Sequence, residues 1–265
     1  APTAFTLPVP AQDGRQPPNN PGHIDQIEEN AGGQVLDSVA VQARFLADNP
    51  GVEMLEIGGR IERVYGRTFS HGQSPHDSAE RFVLNHAQIW GVPAADLVAR
   101  GPFEDGRHLQ PIMFENGQPK FTGVYYTQER DGVEVFRSRL TLLVRNDPNH
   151  PLVLASADLR NLGDFQVAAD MVGKMNDGLL QVARNRFGAT VQIANPRQVI
   201  WAGVEGQQAA PRLADECMVI DGANKWLLLS DSATGEWLYD ESLICFGGSV
   251  SGNAAGVATQ GIGAD

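Results

Sequence analysis

Between residues 109 and 158 the chain reads LQPIMFENGQPKFTGVYYTQERDGVEVFRSRLTLLVRNDPNHPLVLASAD, and its apolar residues alternate with period two in four runs. Asn116-Gly117, Asp131-Gly132 and Asn146-Asp147-Pro148 separate those runs. Asn-Gly and Asp-Gly accept the positive φ that tight hairpins need, so each marks a reversal between neighbouring strands. Four strands joined in this way predict an antiparallel meander. No other stretch restricts the fold as strongly.

The flanking segments predict helices and further strands. Residues 34–48 place Val35, Val39, Ala43 and Leu46 on one helical face, Phe45 widens the stripe, and Asn49-Pro50-Gly51 stops it. In VEMLEIGGRIERVYG two alternating runs surround Gly58-Gly59, a two-residue hairpin. Residues 77–90 predict a second helix. Asp77 and Glu80 fit a capping box, and Ala79, Phe82, Val83, His86, Ala87 and Trp90 recur at helical spacing before Gly91. After the meander a long amphipathic helix is expected over 165–187, with Ala168, Met171, Val172, Met175, Leu179, Val182, Ala183 and Phe187 on its face. Gly173 and Gly178 weaken it by about 1 kcal/mol each relative to Ala. Strands near 197–204, 212–220, 225–230 and 236–245 follow. The expected fold class is α+β, with helix-plus-antiparallel-sheet units at 34–160 and 161–246. A Pro-rich extended arm (1–33) precedes them and a Gly-rich extended tail (247–265) follows.

Composition narrows the partners. The net charge of −12 argues against nucleic acid and anionic membranes, which demand a basic surface. No run approaches the roughly 18 apolar residues of a spanning helix. The chain starts APTAFTLPVP at Ala1 without a Met, as a mature secreted chain does after removal of its signal peptide, or a chain trimmed there. A secreted, extracellular location is the expectation.

Two cysteines, Cys217 and Cys245, are compatible with one disulfide or with two thiols. If Gly222 and Ala223 centre a turn, Cys217 lies opposite Leu228, and Leu228 opposite about Tyr239. Cys245 is then beyond the register and two strands away. A bridge needs Cα atoms within about 7 Å. An intrachain disulfide therefore requires the tail to fold back over the sheet end, and a bridge to another chain is the other option.

Several short patterns resemble a known family pair. TGVYYTQERDGVEVFRSRLTLLVRND (122–147) resembles the core of the fungalysin/thermolysin propeptide (FTP) domain. There a strand bearing a Gln leads to a turn ending in Gly and a strand opening on an apolar pair; Gln128, Gly132, Val135 and Phe136 hold those places. SAERFVLNHAQIWGV, with Ala95-Asp96-Leu97, resembles the helix before it. Residues 165–245 resemble a PepSY domain, most recognisably in DSATGEWLYDE, where Asp231, Ala233, Thr234 and Gly235 follow the family's Asp-Ala-x-Thr-Gly pattern with Ala shifted by one place. The resemblance spans roughly 75–245 and implies a propeptide-like, cystatin-like or PepSY-like architecture. On the residues alone, Asp231 and Thr234 bond turn amides and Gly235 supplies positive φ. That is a turn, not a reacting site.

Catalytic equipment is missing from the sequence. The metalloproteases that carry such domains hold zinc on a His-Glu-x-x-His helix, and none of His23, His71, His76, His86, His108 and His150 belongs to one. His71 and His76 share a Pro-containing loop with Asp77 as the only near third ligand, and His86 reads as a core or boundary residue. GGSVSG (247–252) lacks the spacing and the strand-to-helix setting of a nucleophile elbow. Neither cysteine has a neighbouring His to activate it. The acidic pairs Glu28-Glu29 and Asp240-Glu241 read as solvated surface. No catalytic, cofactor-binding or metal residue is assigned, no cofactor is expected, and the chain is expected not to be an enzyme.

The ends suggest work of another kind. GGSVSGNAAGVATQGIGAD is too poor in large apolar groups to order itself. Its small residues, with Val250, Val257 and Ile262 spaced among them, suit an extended strand laid along a sheet edge. One tail on one neighbour's edge is a heterologous contact that builds rings or filaments. The expectation is a non-catalytic extracellular subunit that forms a homo-oligomer or polymer through its termini. The alternative, implied by the resemblance, is a propeptide acting as inhibitor and folding chaperone of a secreted thermolysin- or fungalysin-like zinc metalloprotease.

Overall fold

The computed structural model describes residues 35–204 and 207–243, with side chains from Val39 onward. The Pro-rich arm, Cys245 and the tail with Val250, Val257 and Ile262 lie outside the described residues. In chain order the elements are α1 (Val35–Asp48), β1 (Glu53–Ile57), β2 (Arg60–Tyr65), α2 (Pro75–His86), β3 (Leu97–Val98), β4 (Leu109–Glu115), β5 (Gln118–Arg130), β6 (Val133–Arg145) and β7 (Leu152–Asp158). Then come α3 (Leu179–Phe187), β8 (Gln192–Trp201), β9 (Arg212–Asp221), β10 (Asn224–Asp231) and β11 (Trp237–Ser242). The protein is α+β, with few helices on a large, mostly antiparallel sheet.

The meander forms as its turns dictate: β4 to β7 pair in sequence order. Gly58-Gly59, Asn116-Gly117 and Asp131-Gly132 all have both central residues at positive φ, the geometry that matches the twist of paired strands. The sheet continues beyond it. Its main path runs β1-β2-β7-β6-β8-β9-β10-β11, with β5 beside β6 and with β3 and β4 on β5. Every pairing is antiparallel except β6 with β8, which meet at Val135 and Ile200. β6 thus pairs β8 through its opening residues and β7 through Arg139 to Val144.

Apolar side chains gather in separate clusters along this sheet. The largest joins Phe45, Phe69, Phe82 and Ile89 to Val124, Leu140, Leu142 and Ala155, filling the space between the first two helices and the meander. A second gathers Phe136, Trp201, Leu229 and Tyr239 from β6, β8, β10 and β11. Under α3, Leu179 and Ala183 meet Cys217, Val219 and Leu228. At about 25 cal/mol per Å² of apolar surface removed from water, such clusters are the main favourable contribution to folding.

Several expectations need correction. In α1 the buried face centres on Phe45, 2% exposed, whereas Val39 is 55% and Leu46 37% exposed. Phe45 sets the rotation by inserting between Phe69 and Phe82, at ring separations of 6.1 and 6.2 Å, while Gln42 Nε2 donates to Ile89 O. α2 starts at Pro75, capped by Ser74, whose hydroxyl accepts from Asp77 N; the Asp77 carboxylate accepts in turn from Gln73 N and Arg81 Nε. The cap is therefore made by Ser74 and Asp77, with the Asp77 carboxylate reaching back to Gln73 N, and Glu80 takes no part in it. The long helix is confined to Leu179–Phe187. Upstream, Gly173 has φ +77°, Gln198 grips Gly173 N, Met171 O and Lys174 O, and Asp215 accepts from Asn176 N. Side chains from β8 and β9 thus hold 171–176 in turns that a helix would abolish. β8 begins at Gln192, earlier than expected, because the strand passes Pro196 with a register shift between Ala194 and Arg197. Cys217 does face Leu228, but Leu228 faces Asp240, one residue beyond Tyr239.

Candidate functional site

The most elaborate polar site lies where β5 and β6 lose register. Thr127 pairs with Arg139 and Glu129 with Glu134, so Gln128 alone stands against four residues, Val135 to Ser138, of β6. Arg137 within that bulge has φ +51°. The apolar pair separates: Val135 enters one cluster and Phe136 another. The fully buried Gln128 side chain then takes over the missing strand pairing. Its Oε1 accepts from Arg160 N at 2.9 Å and its Nε2 donates to Arg160 O at 2.8 Å, the two bonds a strand neighbour would make. Ser138 Oγ lies within hydrogen-bond distance of both Gln128 Oε1 and Asp158 O, and its single proton serves one of them at a time. Gln128 thus ties the end of β5 to the segment that follows β7.

Arg160 itself is fully buried and spans the ends of β7 and β8. Its Nε donates to Gly203 O at 3.0 Å and its terminal nitrogens bond both oxygens of Asp158. Arg60 reaches the same carboxylate at 3.0 Å and Leu159 O at 2.9 Å. Burial works to raise the Asp158 pKa, but hydrogen bonds and charge from Arg160 and Arg60 outweigh it and hold the carboxyl below its ordinary value. Sequence reasoning missed Arg160, Asp158 and Arg60, because nothing in ASADLRNLG sets that arginine apart from a surface one. The arrangement is a structural network in which Gln128, Ser138, Arg160, Asp158 and Arg60 all have partners.

The turn motif closes the β10–β11 hairpin. Asp231 Oδ1 accepts from Ala233 N and Thr234 N, both at 2.9 Å; Thr234 Oγ1 accepts from Glu236 N; Gly235 has φ +72°. Beside it, Ser232 Oγ donates to the buried Asp215 at 2.6 Å. Asp240 and Glu241 are not the solvated pair expected. Asp240, 8% exposed, binds Arg186, and Glu241 binds Arg137, whose guanidinium also lies 5.2 Å from the Phe136 ring. Alternation sends these neighbours to opposite faces of β11, where each meets an arginine.

The strand edges differ in openness. β4 carries Pro111, which has no N–H to offer, and Met113 at φ +55°, which interrupts the pairing with β5. That edge is closed to a further strand although Met113 and Phe114 are 62% and 65% exposed. β1 has β2 as its one strand neighbour among the described residues, contains neither proline nor positive φ, and leaves Ile57 51% exposed. Its irregularity lies on the β2 side, where the step from Leu55 to Glu56 spans Arg63 to Ile61. β1 and β11 end the main path of the sheet on opposite sides.

The remaining candidates are scattered. His76 lies against Glu80 and the His108 ring, while His71 lines a cleft with Arg81, Asn149 and His150. Among the described residues no group of three or more His, Cys, Asp or Glu side chains is placed to hold a metal ion. His86 packs on Phe45 and Phe82, and that burial lowers its pKa against a smaller opposing pull from Asp48. Cys217 is a free, buried thiol, pushed up to about 12 by burial and then by Glu216 and Asp215. Among the described residues no helix is long and apolar enough to cross a membrane.

No protein-family model and no curated protein matches this chain. Among solved structures, the C-terminal domain of YpeB from Bacillus megaterium is similar over 79% of this chain and 97% of that domain, at 11% identity and a TM-score of 0.31. A superposition this loose carries no weight for function.

Proposed function

We propose that this chain is a non-catalytic secreted protein that self-assembles head to tail, its Gly-rich tail lying as an added strand on the β1 edge of the next copy. The strand order is the observation that carries this reading. β11, from which the chain continues toward the tail, and β1, the edge without proline or positive φ, end the main path on opposite sides. A donor at one end and an acceptor at the other make a heterologous contact, which propagates instead of closing as a dimer. Main-chain hydrogen bonds supply affinity in such an addition, and the small side chains of 250–262 avoid clashes. The folded body is read as two helix-plus-sheet units, 34–160 resembling the FTP domain and 161–246 resembling PepSY, with β6 shared between them.

Size-exclusion chromatography and negative-stain microscopy of the purified chain test the proposal. Oligomers or filaments are expected, and removal of 247–265 should abolish them without changing the melting temperature. A discrete monomer at high concentration sinks it.

One observation favours the second reading, a propeptide that inhibits and helps fold a zinc metalloprotease. Gln128, the residue on which the FTP resemblance turns, has a specific structural task here. Nanomolar inhibition of a thermolysin-like protease by a monomeric chain would establish that reading in place of the first.

A further inference from the structure

On the sheet face turned away from the largest apolar cluster, β2, β7 and β6 bring Arg63, Ser156, Thr141, Asp158 and Arg139 around an open cleft of about 310 Å³. Register produces the grouping: Arg63 faces Ser156, Ser156 faces Thr141, and Arg139 faces Asp158. Their neighbours Val64, Ala155, Ala157 and Leu140 are buried, so strand alternation turns this row outward.

The donors in this cleft are unused. Arginines elsewhere in the fold, such as Arg100, Arg130, Arg137 and Arg197, are in ion pairs. The side chains of Arg63, Arg139, Ser156 and Thr141 make no hydrogen bond or ion pair among the described residues. Asp158, which faces Arg139 across the ladder, is already paired with Arg60 and Arg160. The result is a local excess of positive charge and hydroxyl donors on a protein of net charge −12. At physiological salt the repulsion from distant carboxylates is screened beyond about 8 Å, so the local donors decide.

We propose that this cleft binds a small oxyanion, a carboxylate or phosphate group, held by the Arg63 and Arg139 guanidinia with Ser156 and Thr141 donating. Guanidinium forks suit both groups, which share planar or tetrahedral oxygen pairs. Glu62 also lines the cleft and opposes the anion. The site lies on the sheet face and is independent of the strand-edge reading.

The test is calorimetric titration of the full chain with inorganic phosphate and, separately, with an oligoglutamate peptide. Saturable binding of at least one probe is expected, and which one binds identifies the source of the oxyanion. Arg63→Gln with Arg139→Gln should weaken it by about tenfold or more, at unchanged melting temperature since both side chains are exposed. Each single variant should give a smaller loss, so the reading survives if the double variant misfolds. Glu62→Gln should tighten binding, and Arg67→Gln, outside the cleft, should leave it unchanged. Absence of saturable binding of both probes, or an equal loss in Arg67→Gln, overturns the proposal.

Discussion

Gln128→Leu is the sharpest test of how the two parts of the sheet are joined. Leucine is close to glutamine in volume, so the change leaves little cavity. What it removes is the pair of bonds that Gln128 makes to the main chain of Arg160, at 2.9 and 2.8 Å. Both Arg160 groups lie in the buried junction and are orphaned. A buried polar group without a partner costs about 1–3 kcal/mol, so the pair amounts to about 2–6 kcal/mol. That is a large share of the roughly 5–15 kcal/mol by which a folded domain is usually stable. Ser138 loses less, because its hydroxyl retains Asp158 O at 3.1 Å. Ser138→Ala should therefore cost no more than about 1 kcal/mol. Urea unfolding followed by tryptophan fluorescence and circular dichroism measures both variants. Trp90 packs against the largest cluster and Trp201 sits in the second, so the probes sample both halves. If the Gln128→Leu midpoint shifts by no more than that of Ser138→Ala at equal slope, the view of Gln128 as a substitute for strand pairing is wrong.

Three other outcomes follow from local geometry. Cys217, a buried thiol held near 12, should resist a thiol reagent at about pH 8 in the folded protein and react in denaturant, as peptide mapping would show; rapid labelling of the native chain would contradict its burial. His86 has a folded pKa depressed below the ordinary value of about 6.5, so the stability linked to its neutral form is complete above that pH and is lost as pH falls through the folded value. His86→Gln should flatten that acid-side decline in chemical unfolding, and an unchanged slope would refute the assignment. Gly235→Ala places a Cβ at φ +72° and 3.3 Å from Asn176 Nδ2, and should lower stability by about 1–2 kcal/mol; a gain in melting temperature would show that the turn tolerates a side chain.

The parts of the fold legible in the sequence are those decided by neighbours along the chain. Asn116-Gly117 and Asp131-Gly132 announce their hairpins because positive φ is a local demand, and the Cys217–Leu228 register follows from the turn at Gly222. Features decided by distant residues stayed hidden. The 165–187 segment has a helical apolar pattern, yet Gln198 and Asp215 arrive from other strands and outbid it. The facing of α1 depends on where Phe69 and Phe82 leave room for Phe45. Arg160 reads as an ordinary surface arginine until the ends of β7 and β8 are known to meet. Asp240 and Glu241 looked solvated because alternation tells that they face opposite ways, but not that an arginine waits on each side.

A consequence of the double use of β6 concerns severing the chain. A nick between Asn161 and Gly178 would leave two pieces, one containing β6 and the other β8. The first piece, on its own, would present Val133, Val135 and Phe136 to water, all three buried in the intact protein. Each piece needs the other to cover what it exposes. Fragment complementation, in which two separately soluble halves regain structure only on mixing, is the behaviour this wiring entails.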